Sequence, residues 1–100
     1  MLKKSIYLIL LLSTTTIFAS TQTTYEQKCG ICHGNDGMKL AMGKSKAIKG
    51  MEIEEIKNAM NDYAKGNRKT TVLVKNIKKN FIKATDENEL NELFLYINKL

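Results

Sequence analysis

Five consecutive residues, Cys29-Gly30-Ile31-Cys32-His33, constrain this chain more than any other stretch. C-x-x-C-H is the attachment signature of c-type haem. Each thiol can add across one vinyl group of the porphyrin to form a thioether, and the two-residue spacer lets both reach the same edge of one ring. The adjacent histidine is then held beneath the ring, where an imidazole nitrogen can bind the iron as proximal ligand. The chain has two cysteines and one histidine, and all three fall in this run.

A chain of 100 residues has room for one domain. Its first 19 residues read as a secretory signal. Lys3 and Lys4 form a charged start, Ile6-Tyr7-Leu8-Ile9-Leu10-Leu11-Leu12 an apolar core, and 13–19 a more polar run ending in Ala19. Cleavage is expected after Ala19, with Ser20 as the alternative site, leaving a domain over residues 20–100. The competing reading is an uncleaved anchor, but the apolar core is shorter than the ~20 residues a membrane span needs. Export implies a periplasmic protein. In that oxidising compartment Cys29 and Cys32 would otherwise close on each other as a disulfide. The 100 residues less 19 leave 81, a length that builds only a marginal core without a staple. A covalent haem, large, flat and mostly apolar, supplies one.

Charge narrows the partners. There are 16 basic and 10 acidic residues, and without Lys3 and Lys4 the excess falls from +6 to +4. A modest, distributed excess suits a solvated surface that can orient an acidic redox partner. No basic stripe is interleaved with the four tyrosines and three phenylalanines, so nucleic acid is not expected as a partner.

The rest of the chain reads as short helices. Ser20–Thr24 is a polar lead-in, and Thr23 or Thr24 can cap a helix starting near Tyr25. That helix would carry Cys29 and Cys32 one turn apart, with Tyr25 four residues before Cys29 on the same face. Gly34-Asn35-Asp36-Gly37 is turn chemistry. Met38–Gly43 reads as a loop crossing the proximal side, one of whose carbonyls could accept the second ring N–H of His33. A basic loop follows over 44–50. Glu52, Glu54 and Glu55 crowd a helix start, Ile53, Ile56, Met60 and Tyr63 recur at helical spacing, and Gly66 ends the run. After a polar connector at 67–71, Val72-Leu73-Val74 is either extended or a helix start. Val74, Ile77 and Phe81 then follow helical spacing between lysines. Asp86 and Glu89 have capping-box spacing, with Thr85 as an alternative cap, before the stripe Leu90, Leu93, Phe94, Ile97 and Leu100. No proline, strand alternation or internal repeat appears. The expectation is an all-α domain of four to five short helices.

With these landmarks the chain resembles the short class I monohaem cytochromes c of bacterial periplasms, over roughly the whole of residues 20–100. The landmarks are Tyr25, Cys29-Gly30-Ile31-Cys32-His33-Gly34 with Asp36-Gly37, Gly43-Lys44-Ser45, the helix Gly50–Gly66 with Tyr63, and Leu93, Tyr96, Ile97 and Leu100. The resemblance implies the class I fold, with terminal helices crossing near the edge of one covalently attached haem c. It implies that Cys29 and Cys32 hold the haem and that His33 is the proximal iron ligand. It also implies single-electron transfer between larger redox proteins.

One departure from the family matters. Its sixth ligand is usually a methionine before the terminal helix, whereas this chain has none after Met60 and places Leu73 at about that position. No second histidine is available. Met38 and Met42 lie on the loop assigned to the proximal side, and Met51 at a helix start. Met60, Lys75 and Asn76 are the remaining candidates, and a lysine must first lose its proton. A missing methionine should lower the redox potential and open the iron to small molecules.

Three functions compete. The first is a periplasmic electron carrier, monomeric, making brief contacts with periplasmic or membrane-bound oxidoreductases, not stably inserted in the membrane after cleavage, and doing no substrate chemistry itself. The second is a haem protein that binds NO or CO at an open distal site. The third discards haem for a zinc site or a redox C-x-x-C. Zinc wants four protein ligands where this chain offers three good ones, and the redox motif wants a preceding strand.

Overall fold

The computed structural model describes residues 20–43 and 46–100. The expected signal at 1–19 and Lys44-Ser45 lie outside them. The described residues are all-α, with no strand. Residues 20–28 form α1 and Gly30–His33 the short α2, and a 3-10 turn spans Ala41–Gly43. Then come α3 (Ile53–Lys65), α4 (Val72–Ala84) and α5 (Glu87–Asn98). Helix α3 is the hub, packing against both α4 and α5. No helix among the described residues is long and apolar enough to cross a membrane.

The helix ends follow local chemistry. Glu54 and Glu55 occupy the positive end of α3, and Gly66 closes it at φ 79°. Thr71 caps α4 by accepting a hydrogen bond from the Val74 amide at 3.2 Å, which resolves Val72-Leu73-Val74 as helix. Between Thr85 and Asp86, Asp86 is the cap of α5; its carboxylate accepts from the Glu89 amide at 2.9 Å.

The N-terminal helix differs from expectation. It does not wait for a threonine cap at 23 or 24, because residues 20–24 are already helical. Tyr25, fully buried, anchors the segment, and a Gln22–Glu26 side-chain hydrogen bond at 3.0 Å supports the turn before it. Nor does one helix carry both cysteines. A turn at Cys29 divides α1 from α2, next to a buried glycine, Gly30, that Asn35 packs against.

The core is small. Its buried side chains are Tyr25 from α1, Ile56 from α3, and Leu93, Phe94 and Ile97 from α5. The stripe of the terminal helix thus faces inward as its spacing requires. Helix α4 contributes no fully buried residue. Its inward face runs through Val74, Lys78, Phe81 and Ile82, while Ile77 is half exposed and Val72 and Leu73 lie largely in solvent. Two contacts pin the loop before α3 to α5. Gly50 N–H donates to the Ile97 carbonyl at 3.2 Å, and the Asn98 amide donates to the Met51 carbonyl at 2.9 Å.

Candidate functional site

Cys29, Cys32 and His33 sit in a segment held from both sides. The Tyr25 hydroxyl donates to the Gly34 carbonyl at 2.7 Å, and the Lys39 amide donates to the His33 carbonyl at 2.9 Å. Gly34 adopts φ 79°, ψ 154°, a region open essentially to glycine alone, so the chain can turn away directly after His33. Gly37 has φ 73°, and a Cβ there would lie 3.0 Å from the Lys49 nitrogen. Its carbonyl accepts from Ile48 and Lys49 and closes the loop. Tyr25 is locked in turn, its ring 5.2 Å from that of Tyr96 on α5.

Both thiols are free; Cys29 is half-buried and Cys32 exposed. Burial pushes the Cys29 thiol up to about 11, against the opposing charge of Lys78. A redox C-x-x-C lowers its attacking thiol, so this environment does not fit that use. Among the described residues no three His, Cys, Asp or Glu side chains are grouped to hold one metal ion, so the zinc alternative lacks its donors.

His33 is half-buried, and its Nδ1 is buried with no hydrogen-bond partner. The expected carbonyl from Met38–Gly43 is therefore not there. Hydrogen bonds of this loop include Lys39 N–H on the His33 carbonyl, Gly43 N–H on the Leu40 carbonyl and Met38 N–H on the Asp36 carboxylate. Burial, and then the Lys78 charge, hold the His33 pKa below its usual value, so the ring is neutral and free to act as a ligand at pH 7.

The structure adds one residue to those the sequence singles out. Lys78 turns inward from α4 with its Nζ 3.7 Å from the Met60 sulfur and 5.5 Å from the centre of the Tyr63 ring. It is close enough to Cys29, Cys32 and His33 to interact electrostatically with each. Burial holds its pKa below the usual amine value. The signal for it was available: Lys78 stands four residues after Val74 and four before Ile82, on the apolar face of α4. Met60 is half-buried beside it. Lys75 instead lies over the end of α3, its Nζ 3.1 Å from where a Cβ on Gly66 would be, and Asn76 is exposed. Met38 and Met42 are exposed, and Met51 packs against the core.

Over 77 residues, 74% of this chain, the sequence is 32% identical to cytochrome c-553 of Nitratidesulfovibrio vulgaris (strain DSM 19637 / Miyazaki F), covering 71% of that protein. The chain belongs to the c-type cytochromes. No family model matches it. Membership implies a covalently bound haem c, and the residues of this cytochrome fit that group. Two free thiols and a neutral imidazole with an unpartnered nitrogen lie in one pinned segment, not converging on a single point, as an extended ligand held at several points requires. Apolar side chains stand exposed on that segment (Ile31), on the loop after it (Met38, Leu40, Met42) and on α4 (Val72, Leu73, Ile77). Such surface is the kind a flat apolar body covers.

Tyr25 should make the cytochrome sensitive to alkali. Burial first, then the charges of Cys29, Tyr96 and Asp36, push its hydroxyl from 10.0 up to about 12. A folded-state pKa above the unfolded value gives stability that is fully present below the unfolded value and lost as pH rises through the folded one. Denaturant titrations from pH 7 to 12 should show stability falling between pH 10 and about 12. Any Cys29 still carrying a free thiol titrates from 9.0 to about 11 and adds to the same limb. Tyr25→Phe should flatten the tyrosine limb and, through the lost Gly34 bond, cost about 1 kcal/mol at pH 7. An unchanged alkaline limb in the variant would remove Tyr25 as its source.

Proposed function

We propose that this cytochrome is a periplasmic one-electron carrier of class I type. Its haem c is attached through the sulfurs of Cys29 and Cys32, with His33 as the proximal iron ligand. The observation that carries this reading is the pinned C-x-x-C-H segment within a chain of the c-type cytochrome family. A bound haem c supplies an iron that changes oxidation state by one electron. The chain does the rest. The Tyr25 and Lys39 hydrogen bonds hold the backbone around His33. Burial keeps the imidazole neutral. Cys32 lies at the surface, so the thioether edge faces an approaching partner. The distributed lysines orient acidic redox proteins. Residues 1–19 serve as the export signal, and the mature domain works as a monomer. The small-ligand reading rests on the missing methionine alone.

The test is expression of the full chain with the haem-attachment machinery in a Gram-negative host. The expected result is a periplasmic protein whose mass, after denaturation, exceeds that of the processed chain by one haem, and which titrates reversibly as a single one-electron couple. A chain recovered without covalent haem would overturn the reading.

A further inference from the structure

We propose that Lys78 provides the sixth ligand to the haem iron, in place of the methionine this chain lacks. The inference rests on the haem-carrier reading above and concerns a residue that neither the C-x-x-C-H run nor the family's usual ligand points to. Its basis is where the amine sits. A lysine on a two-sided helix normally extends its ammonium to water while its stem covers apolar surface. Lys79 and Lys83 on the same helix are exposed, whereas the Lys78 amine enters the space that α2, α3 and α4 share. There it touches a thioether and an aromatic ring, within electrostatic range of two thiols and an imidazole. Among the described residues it forms no ion pair. The amine is only partly exposed, and its contacts are a weak acceptor sulfur and a ring face, with no carboxylate among the described residues. A nitrogen donor within electrostatic range of the haem-binding residues gains a use once it binds iron.

The other candidates are placed elsewhere. Leu73, where the resemblance puts the methionine, is 64% exposed and has no donor atom. Lys75 covers the end of α3 and Asn76 faces solvent. Met60 is near, but its side chain packs against the buried core, which explains its position without iron. In the proposed step Lys78 releases one proton from Nζ to solvent and its lone pair forms a dative bond to the metal. No electron is transferred.

The experiment uses purified haem-loaded protein and reads absorption, near-infrared magnetic circular dichroism and electron paramagnetic resonance of the ferric state. Wild type should be low-spin without a thioether–iron charge-transfer band. Lys78→Ala should lose the low-spin signal, and its ferrous form should bind CO. Lys78→Met should recover a low-spin state and gain the thioether band, showing that position 78 reaches the iron. Met60→Leu should leave the wild-type spectrum intact. A low-spin signal that survives in Lys78→Ala, or a thioether band in wild type that Met60→Leu abolishes, would overturn the assignment while leaving the carrier reading in place. Wild type without covalent haem would instead overturn the carrier reading and this assignment with it.

Discussion

Replacing Cys29 and Cys32 together with alanine should leave a chain without attached haem and without most of its cooperative fold. The reason lies in the size of the core. Among the described residues, five hydrophobic side chains are buried, and they come from α1, α3 and α5 alone. Helix α4 keeps Val72, Leu73 and Ile77 exposed and buries nothing fully, so its apolar side is poorly covered by protein. Small domains of this kind rarely gain more than ~3–5 kcal/mol from a single core, and a covalent staple makes up the difference. Loss of both thioethers removes the staple and uncovers the surface it joins. Far-ultraviolet circular dichroism and urea titration of the double variant should show reduced helicity and a broad, weak transition. Full helicity with sharp unfolding in the haem-free variant would show that the protein core suffices.

Leu93→Ala in the haem-loaded protein should cost about 3 kcal/mol, within the range for a leucine deleted from a packed core. Leu93 is 2% exposed and belongs with Phe94 and Ile97 to the face of α5 that meets Tyr25 and Ile56. Deleting it leaves a cavity among neighbours on three helices, which the Asp86 cap and the Asn98–Met51 bond prevent from collapsing freely. Leu73→Ala is the matched control. It removes the same atoms from a side chain that protein leaves 64% exposed, so its cost should fall well short of that of Leu93→Ala, and what it does cost in the haem-loaded protein measures cover by haem. Denaturant midpoints at constant slope would check both. Equal costs would mean that haem covers Leu73 as thoroughly as protein covers Leu93.

Much of the fold was legible because its signals are local. The apolar spacing of Ile53, Ile56 and Met60 and the glycine at 66 delimit α3. The Asp86–Glu89 spacing marks the start of α5, and the stripe through Leu93, Phe94 and Ile97 tells which face turns inward. The helicity of residues 20–24 was not legible. Serine and threonine there read as lead-in, whereas the structure makes them helix running into the buried Tyr25. Helix α4 was legible as a helix but not in its orientation. Val74, Ile77 and Phe81 and also Val74, Lys78 and Ile82 keep helical spacing, and only packing keeps Phe81 inward while it turns Lys78 in and Ile77 out.

The sequence by itself determined the chemistry: a C-x-x-C-H run, its single histidine, and a methionine missing from the expected stretch, because these depend on which atoms are present and at what separation along the chain. Tertiary structure decided what surrounds that chemistry. It left Nδ1 of His33 without a partner, tied Tyr25 to Gly34, and brought Lys78 beside Met60, 18 residues away in the chain. Those relations come from the rotation of one helix against another, and a short-range pattern in the chain cannot choose among rotations that keep similar apolar spacing.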